Sequence, residues 1–221
     1  VGFGVMMARG PMDVPMLARP LLGFGVLTIT ILTTWQLVAN QFALDRSGYR
    51  AYVLCPAPRR EILLGKNLAV IPIVTVLALP MLVLLQFALP MRIDHLAAVP
   101  FQIVSMLAIF MLTANVCSIL APIPLAQGSM KPASTRFVAT FIQLGLFTLH
   151  SALQAIVLLP IGVEALLATI PSLEGWPIAL PLMILLCGMF VALYRWALGW
   201  QGDWLFTREQ RILEEVTAKT Q

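Results

Sequence analysis

Five stretches of this chain, at about 21–42, 67–90, 98–121, 137–162 and 177–199, run for more than twenty residues with almost no charge. Each is long enough to cross a hydrocarbon layer of roughly 30 Å as a helix. A water-soluble domain would have to hide all five inside 221 residues. The composition speaks against that: 60% of residues are hydrophobic and 11% charged, against about a quarter charged in soluble domains. The mean hydropathy is +0.91. The expected fold is therefore all-α, a polytopic transmembrane helical bundle in a single domain over 1–221.

Local signals bound the spans. Pro122 and Pro124 close the third, because proline lacks an amide donor and restrains the residue before it. Pro80, deep in the second, predicts a kink rather than an end. The stub before residue 21 is short and proline-containing, and Val1 stands where an initiator methionine would be, which reads as a fragment or a processed product.

Five crossings put the 43–66 loop, the 122–136 loop and the tail on one side. Together with Arg195 near the inner end of the last span, those segments hold eleven Lys and Arg residues, among them Arg46, Arg50, Arg59, Arg60 and Lys66 in the first loop alone. The opposite side holds Arg9, Arg19 and Arg92. Because basic loops are retained in the cytoplasm, the chain is expected in the cell inner (plasma) membrane with its C-terminus cytoplasmic. Trp176 outside and Trp200 and Trp204 inside suit the aromatic belts of the last span. In the tail, 201–221, Thr207 and Gln210 have capping-box spacing, and Ile212, Leu213 and Val216 share a face with Glu215 four before Lys219. A separate amphipathic helix is expected there.

The basic loop reads as shaped. Asp45 is placed to cap a helix beginning at Arg46, and Pro56 and Pro58 stop it before "RREILL" restarts the chain. On that helix Tyr49, Tyr52 and Val53 share a face beside Arg46 and Arg50. Two readings stay open: aromatic knobs with an Arg rim docking a protein, or a helix lying on anionic headgroups.

The run "NQFALDRSGYRAYVLCPAPRREILLGKNLA", residues 40–69, resembles the corresponding stretch of the permease subunits of type 2 ABC transporters. Asn40, Phe42, Asp45, Gly48, Tyr49, Arg50, Pro56, Arg59, Leu64, Gly65, Lys66 and Asn67 carry the likeness. The resemblance implies a coupling helix over Asp45 to Leu54 that seats in a separate cytosolic ATPase subunit. Asp45, Arg46, Gly48, Tyr49, Arg50, Tyr52, Arg59 and Arg60 are its coupling residues. It also implies a six-span core, here lacking its first span, a second permease copy, and short re-entrant helices, for which residues 162–177 are the candidate.

Other chemistry is sparse. "LLGKN" has the Gly-Lys of a phosphate loop, but Arg60 stands at the first glycine and Asn67 at the Ser or Thr, so no ATP site is expected in this chain. Cys55, Cys117 and Cys187 have no metal-ligand spacing, and no cofactor is implied. The basic residues flank apolar runs, which argues against nucleic acid. No catalytic pairing stands out, and Asp94 and His95 read as solvated loop groups. His150 is the ionisable side chain well inside a run. It belongs to a polar stripe of Gln143, Phe147, His150 and Gln154, matched on the first span by Thr33, Gln36 and Asn40. Such stripes line a path or a dimer seam, or simply hydrogen-bond neighbouring helices, the reading preferred here. The functional expectation is the membrane-spanning subunit of an ATP-driven exporter. The rival is a non-transporting membrane scaffold that recruits a cytoplasmic partner through its basic loop.

Overall fold

The first apolar run folds as three consecutive helices rather than one. In the computed structural model, which describes residues 14–126, 131–133, 137–173 and 175–217, α1 spans Arg19–Thr33, α2 Trp35–Ala39 and α3 Gln41–Asp45. Threonines weaken the first junction: the hydroxyls of Thr30, Thr33 and Thr34 donate to the carbonyls of Val26, Thr30 and Ile31, in competition with the backbone ladder. Asn40 makes the second. Its side-chain amide donates to Ile123 O at 2.9 Å and accepts from Ile123 N at 2.8 Å, and its backbone leaves the helix at φ −127°. The expected single span over 21–42 is corrected accordingly.

A 3-10 turn at Arg46–Gly48 leads into α4, Tyr49–Leu54. Pro56 and Pro58 then keep the chain extended until α5 begins at Arg59, as anticipated. α5 is one continuous helix of thirty residues, Arg59–Ala88, with Pro72 and Pro80 inside it. α6 is Ile93–Leu120, α7 Phe137–Gln154, α8 Leu159–Leu167 and α9 Ala179–Thr217. A 3-10 turn, Ala155–Leu158, joins α7 to α8. Among the described residues the one strand-like feature is a single bridge between Leu125 and Pro132.

Five helical stretches are long and apolar enough to cross a membrane: Met16–Thr33, Arg59–Ala88, Ile93–Leu120, Phe137–Leu167 and Ala179–Thr217. This is the pattern of a membrane protein. α6 is the central helix, with 72% of its apolar window buried against 22% for α5. Around it the other helices turn large apolar side chains outward, including Val76, Phe87, Phe141 and Leu185. That surface suits lipid, which solvates apolar groups as readily as a core does.

No separate tail helix forms. α9 continues for 39 residues, about 58 Å at helical rise and well beyond a bilayer core. Thr207 does not cap; its hydroxyl donates to Trp204 O within the same helix. Burial holds the extension straight. Leu205, Ile212 and Val216 pack on Phe42, Tyr49, Leu63 and Ile119. Glu215 pairs with Arg211, while the Lys219 assigned to it lies outside the described residues.

α9 and α5 touch at Gly202, where a Cβ would sit 2.7 Å from the backbone nitrogen of Arg60. Gly202→Ala is expected to lower stability by about 1–3 kcal/mol through this overlap with backbone. At Gly199 a Cβ meets nothing within 4 Å, so Gly199→Ala should melt like the parent. Thermal unfolding of the two purified variants in detergent compares them directly.

Candidate functional site

The basic hairpin, residues 45–66, is fastened on both sides. Asp45 ends α3 and makes no side-chain cap, contrary to expectation. Its carboxylate meets Lys66 Nζ at 2.5 Å, and that ammonium lies over the rings of Tyr52 at 4.9 Å and Phe42 at 5.7 Å. Arg46 follows with φ +53°, a left-handed conformation that a residue with Cβ adopts at some cost. It bends the chain sharply out of α3, so α4 starts at Tyr49 after Gly48 rather than at Arg46.

Arg59 is the second fastener. Its Nε donates to Glu209 Oε2 of α9 at 2.7 Å, and its two terminal nitrogens donate to the carbonyls of Cys55, Ala57 and Val53 at 2.9–3.1 Å. One guanidinium thus holds three carbonyls of the hairpin and a carboxylate 150 residues away, a use of its fixed fork that Lys could not reproduce. The guanidinium also sits over Phe206 at 5.7 Å.

The aromatic face of α4 points inward. Tyr49 is 2% exposed, edge-on to Phe42 at 5.2 Å, and burial pushes its phenol above the ordinary range. Tyr52 and Val53 are half-buried. They are the amphipathic helix's core face, not docking knobs. Among the residues the hairpin exposes are Arg50, Ala51, Leu54 and Arg60, with Leu54 76% exposed. Beside Arg60 lies an open cavity of about 530 Å³ lined by Cys55, Pro58, Asp203 and Phe206.

The polar stripe of α7 is spent on helix contacts. Gln143 donates to Ala121 O at 2.9 Å and Gln154 to Met106 O at 3.1 Å. His150 is buried against Trp35 and Phe110. The Thr113 hydroxyl donates to carbonyls of its own helix, so its oxygen accepts from His150 Nδ1 at 3.1 Å. Gln154 then donates to Nε2 at 3.3 Å. This is a neutral imidazole with one proton, on Nδ1. The matching stripe on the first span does not hold together: Asn40 is buried, whereas Thr33 and Gln36 are exposed, because the helix breaks between them.

Two polar groupings escaped the sequence. A buried amide chain runs from Gln41 to Asn115 to Gln201, at 3.0 and 2.9 Å, and ends on Leu112 O. At the end of the bundle opposite the hairpin, Arg92, Asp94, His95 and Glu164 converge. Arg92 reaches Asp94 at 2.8 Å and Glu164 at 3.0 Å, and His95 Nε2 stands 3.0 Å from Glu164 Oε1. Asp94 and His95 are not solvated loop groups: His95 is 3% exposed. They occupy the first turn of α6, and Glu164 comes to them from α8, the stretch expected to re-enter. Glu164 also accepts from Ala179 N at 2.6 Å, placing negative charge where α9 begins. The Asp94, His95 and Glu164 donor atoms lie within 4.8 Å of one another, a metal-sized grouping. Arg92 already supplies the cation between the carboxylates, so the cluster reads as an ion-pair staple joining α6, α8 and α9.

Glu164→Ala is expected to cost about 3–5 kcal/mol, because Arg92 loses a buried partner and α9 its cap. Glu164→Gln, which still accepts from Ala179 N, should cost less, and thermal unfolding in nanodiscs ranks the two. Compared with known proteins, the chain matches no family model, no curated protein and no solved structure.

Proposed function

We propose that this chain is the membrane-spanning subunit of an ATP-driven exporter of the type 2 ABC kind, driven through its 45–66 hairpin by a separate cytosolic ATPase subunit. One observation carries the reading. The hairpin is tied rigidly to neighbouring helices, by Lys66 to Asp45 and by Arg59 to Glu209, yet leaves Arg50, Ala51, Leu54 and Arg60 uncovered. A push on that face has nowhere to dissipate; it is delivered to α3, α5 and α9 together.

The likeness of residues 40–69 to the permease family and the eleven basic residues on the hairpin side support the same assignment, with the hairpin and C-terminus cytoplasmic. ATP binds the partner, and this chain is not itself an enzyme. Translocation takes a second permease copy. The scaffold reading draws on a different observation: α7's polar groups are consumed by helix contacts, as a protein without a path would have them.

The test replaces exposed residues only. Arg50→Glu with Leu54→Asp should leave insertion and melting intact while removing the nucleotide-hydrolysing companion that co-purifies with the parent, a loss of at least about tenfold for two interface anchors. Tyr49→Ala should instead lower stability, by about 3–5 kcal/mol for a buried aromatic. Full ATPase recruitment by the double variant removes the coupling role. A stoichiometric companion without nucleotide hydrolysis supports the scaffold.

A further inference from the structure

A second open cavity, of about 470 Å³, lies between α2 and α3 on one wall and α5 on the other. Its two ends differ. Toward the hairpin it is lined by Asp45, Tyr52, Glu61 and Lys66, and away from the hairpin by Leu37, Ala69 and Val70. Leu37 precedes Asp45 by about two helical turns, and Val70 follows Lys66 by about one. The apolar end therefore lies deeper in the membrane than the charged end.

The charged end has one carboxylate to spare. Lys66, the one cation in the lining, is matched by Asp45 at 2.5 Å. Glu61 is exposed and makes no ion pair among the described residues. Gln41 adds an acceptor of a different kind. It lines the same cavity although only 5% of it is exposed. Its Nε2 donates to Asn115 Oδ1 at 3.0 Å, while its Oε1 accepts no hydrogen bond among the described residues. A buried amide oxygen in that state presents an open acceptor to whatever enters.

These groups select a ligand. A carboxylate and an amide oxygen both take an N–H donor, and the spare negative charge calls for one positive charge. The apolar end calls for a hydrocarbon tail. The volume is that of a site for one small ligand, which suits a single chain. A two-chain phospholipid would also bring a phosphate, and Lys66 is already committed to Asp45.

We propose that this groove binds a monocationic amphiphile, a protonated primary amine on a single hydrocarbon chain, drawn from the leaflet on the hairpin side. The ammonium sits between Glu61 and Gln41 Oε1, and the chain lies along Leu37, Ala69 and Val70. Binding alone is at issue, so the site stands whether or not an ATPase docks on the hairpin.

The experiment reconstitutes the full chain in phosphatidylcholine nanodiscs with a spin-labelled long-chain primary amine, whose motionally restricted fraction reports occupancy. The amine should be retained, and a spin-labelled fatty acid of equal length should not. Gly65 also lines the groove. A Cβ there meets nothing within 4 Å, and leucine suits a helix better than glycine, so Gly65→Leu should fold like the parent yet abolish retention. Glu61→Gln should weaken it about tenfold, as the loss of one charge-assisted contact predicts, whereas Glu214→Gln, at an exposed carboxylate of α9, should change nothing. Equal retention of the fatty acid overturns the proposal, as it marks only the surrounding lipid. So does parental retention in Gly65→Leu or Glu61→Gln. Displacement of the amine by phosphatidylethanolamine also overturns it and gives the groove to a membrane lipid. Arg50→Glu with Leu54→Asp leaves retention unchanged, so this site and the ATPase reading fail separately.

Discussion

A bilayer core has no water, so every amide, hydroxyl and imidazole buried in this bundle must find its partner on another helix or in its own ladder. α6 is where most of them find it. Asn115 takes Gln41 from α3 and gives to Gln201 of α9. Thr113 and the Met106 carbonyl take His150 and Gln154 from α7. The chain just beyond α6 takes Asn40 and Gln143, and His95 at its start meets Glu164 of α8. Each bond is worth only about 0.6 kcal/mol on average. Their directionality matters more, since apolar packing alone would let helices slide or rotate past one another in a medium equally apolar.

α5 stands outside this scheme. Its side-chain ties to other helices go to α3 and α9, through Lys66 with Asp45, Asn67 with Tyr194 and Arg59 with Glu209. All three lie in its first nine residues. Beyond Asn67 it is apolar but for Thr75 and Gln86, little buried, and contains Pro72 and Pro80, each of which removes a ladder bond. The rest of α5 is held by apolar packing instead, with Val70, Val74, Ala78 and Leu82 buried in the main core.

The sequence displayed whatever depends on neighbours in the chain. Charge-free length announced the spans, Pro56 and Pro58 announced the restart at Arg59, and the three- and four-residue spacing of Gln143, Phe147, His150 and Gln154 announced a face turned toward other helices. It concealed whatever depends on a distant partner. Asn40 breaks the first span because Ile123 awaits it. α9 runs on through Thr207 because Phe42 and Tyr49 bury its far end and Arg59 holds Glu209. Asp94 and His95 looked like loop residues because Glu164 is 69 residues beyond His95. Tyr49 shows the limit most sharply, since an aromatic row at helical spacing describes an inward face and an outward one equally well.

Exposure is informative here because lipid cannot satisfy a polar group as water does. In a soluble protein a lone surface glutamine says nothing, since water satisfies it. In this bundle the exposed hydroxyls at Thr75, Thr148 and Ser151 all turn back on their own helices, whereas the exposed Gln36 amide makes no hydrogen bond among the described residues. The same logic applies at the hairpin with the opposite sign. Arg50 and Arg60 stand where water is expected and cost nothing unpaired, so their exposure marks an available surface without demanding an occupant.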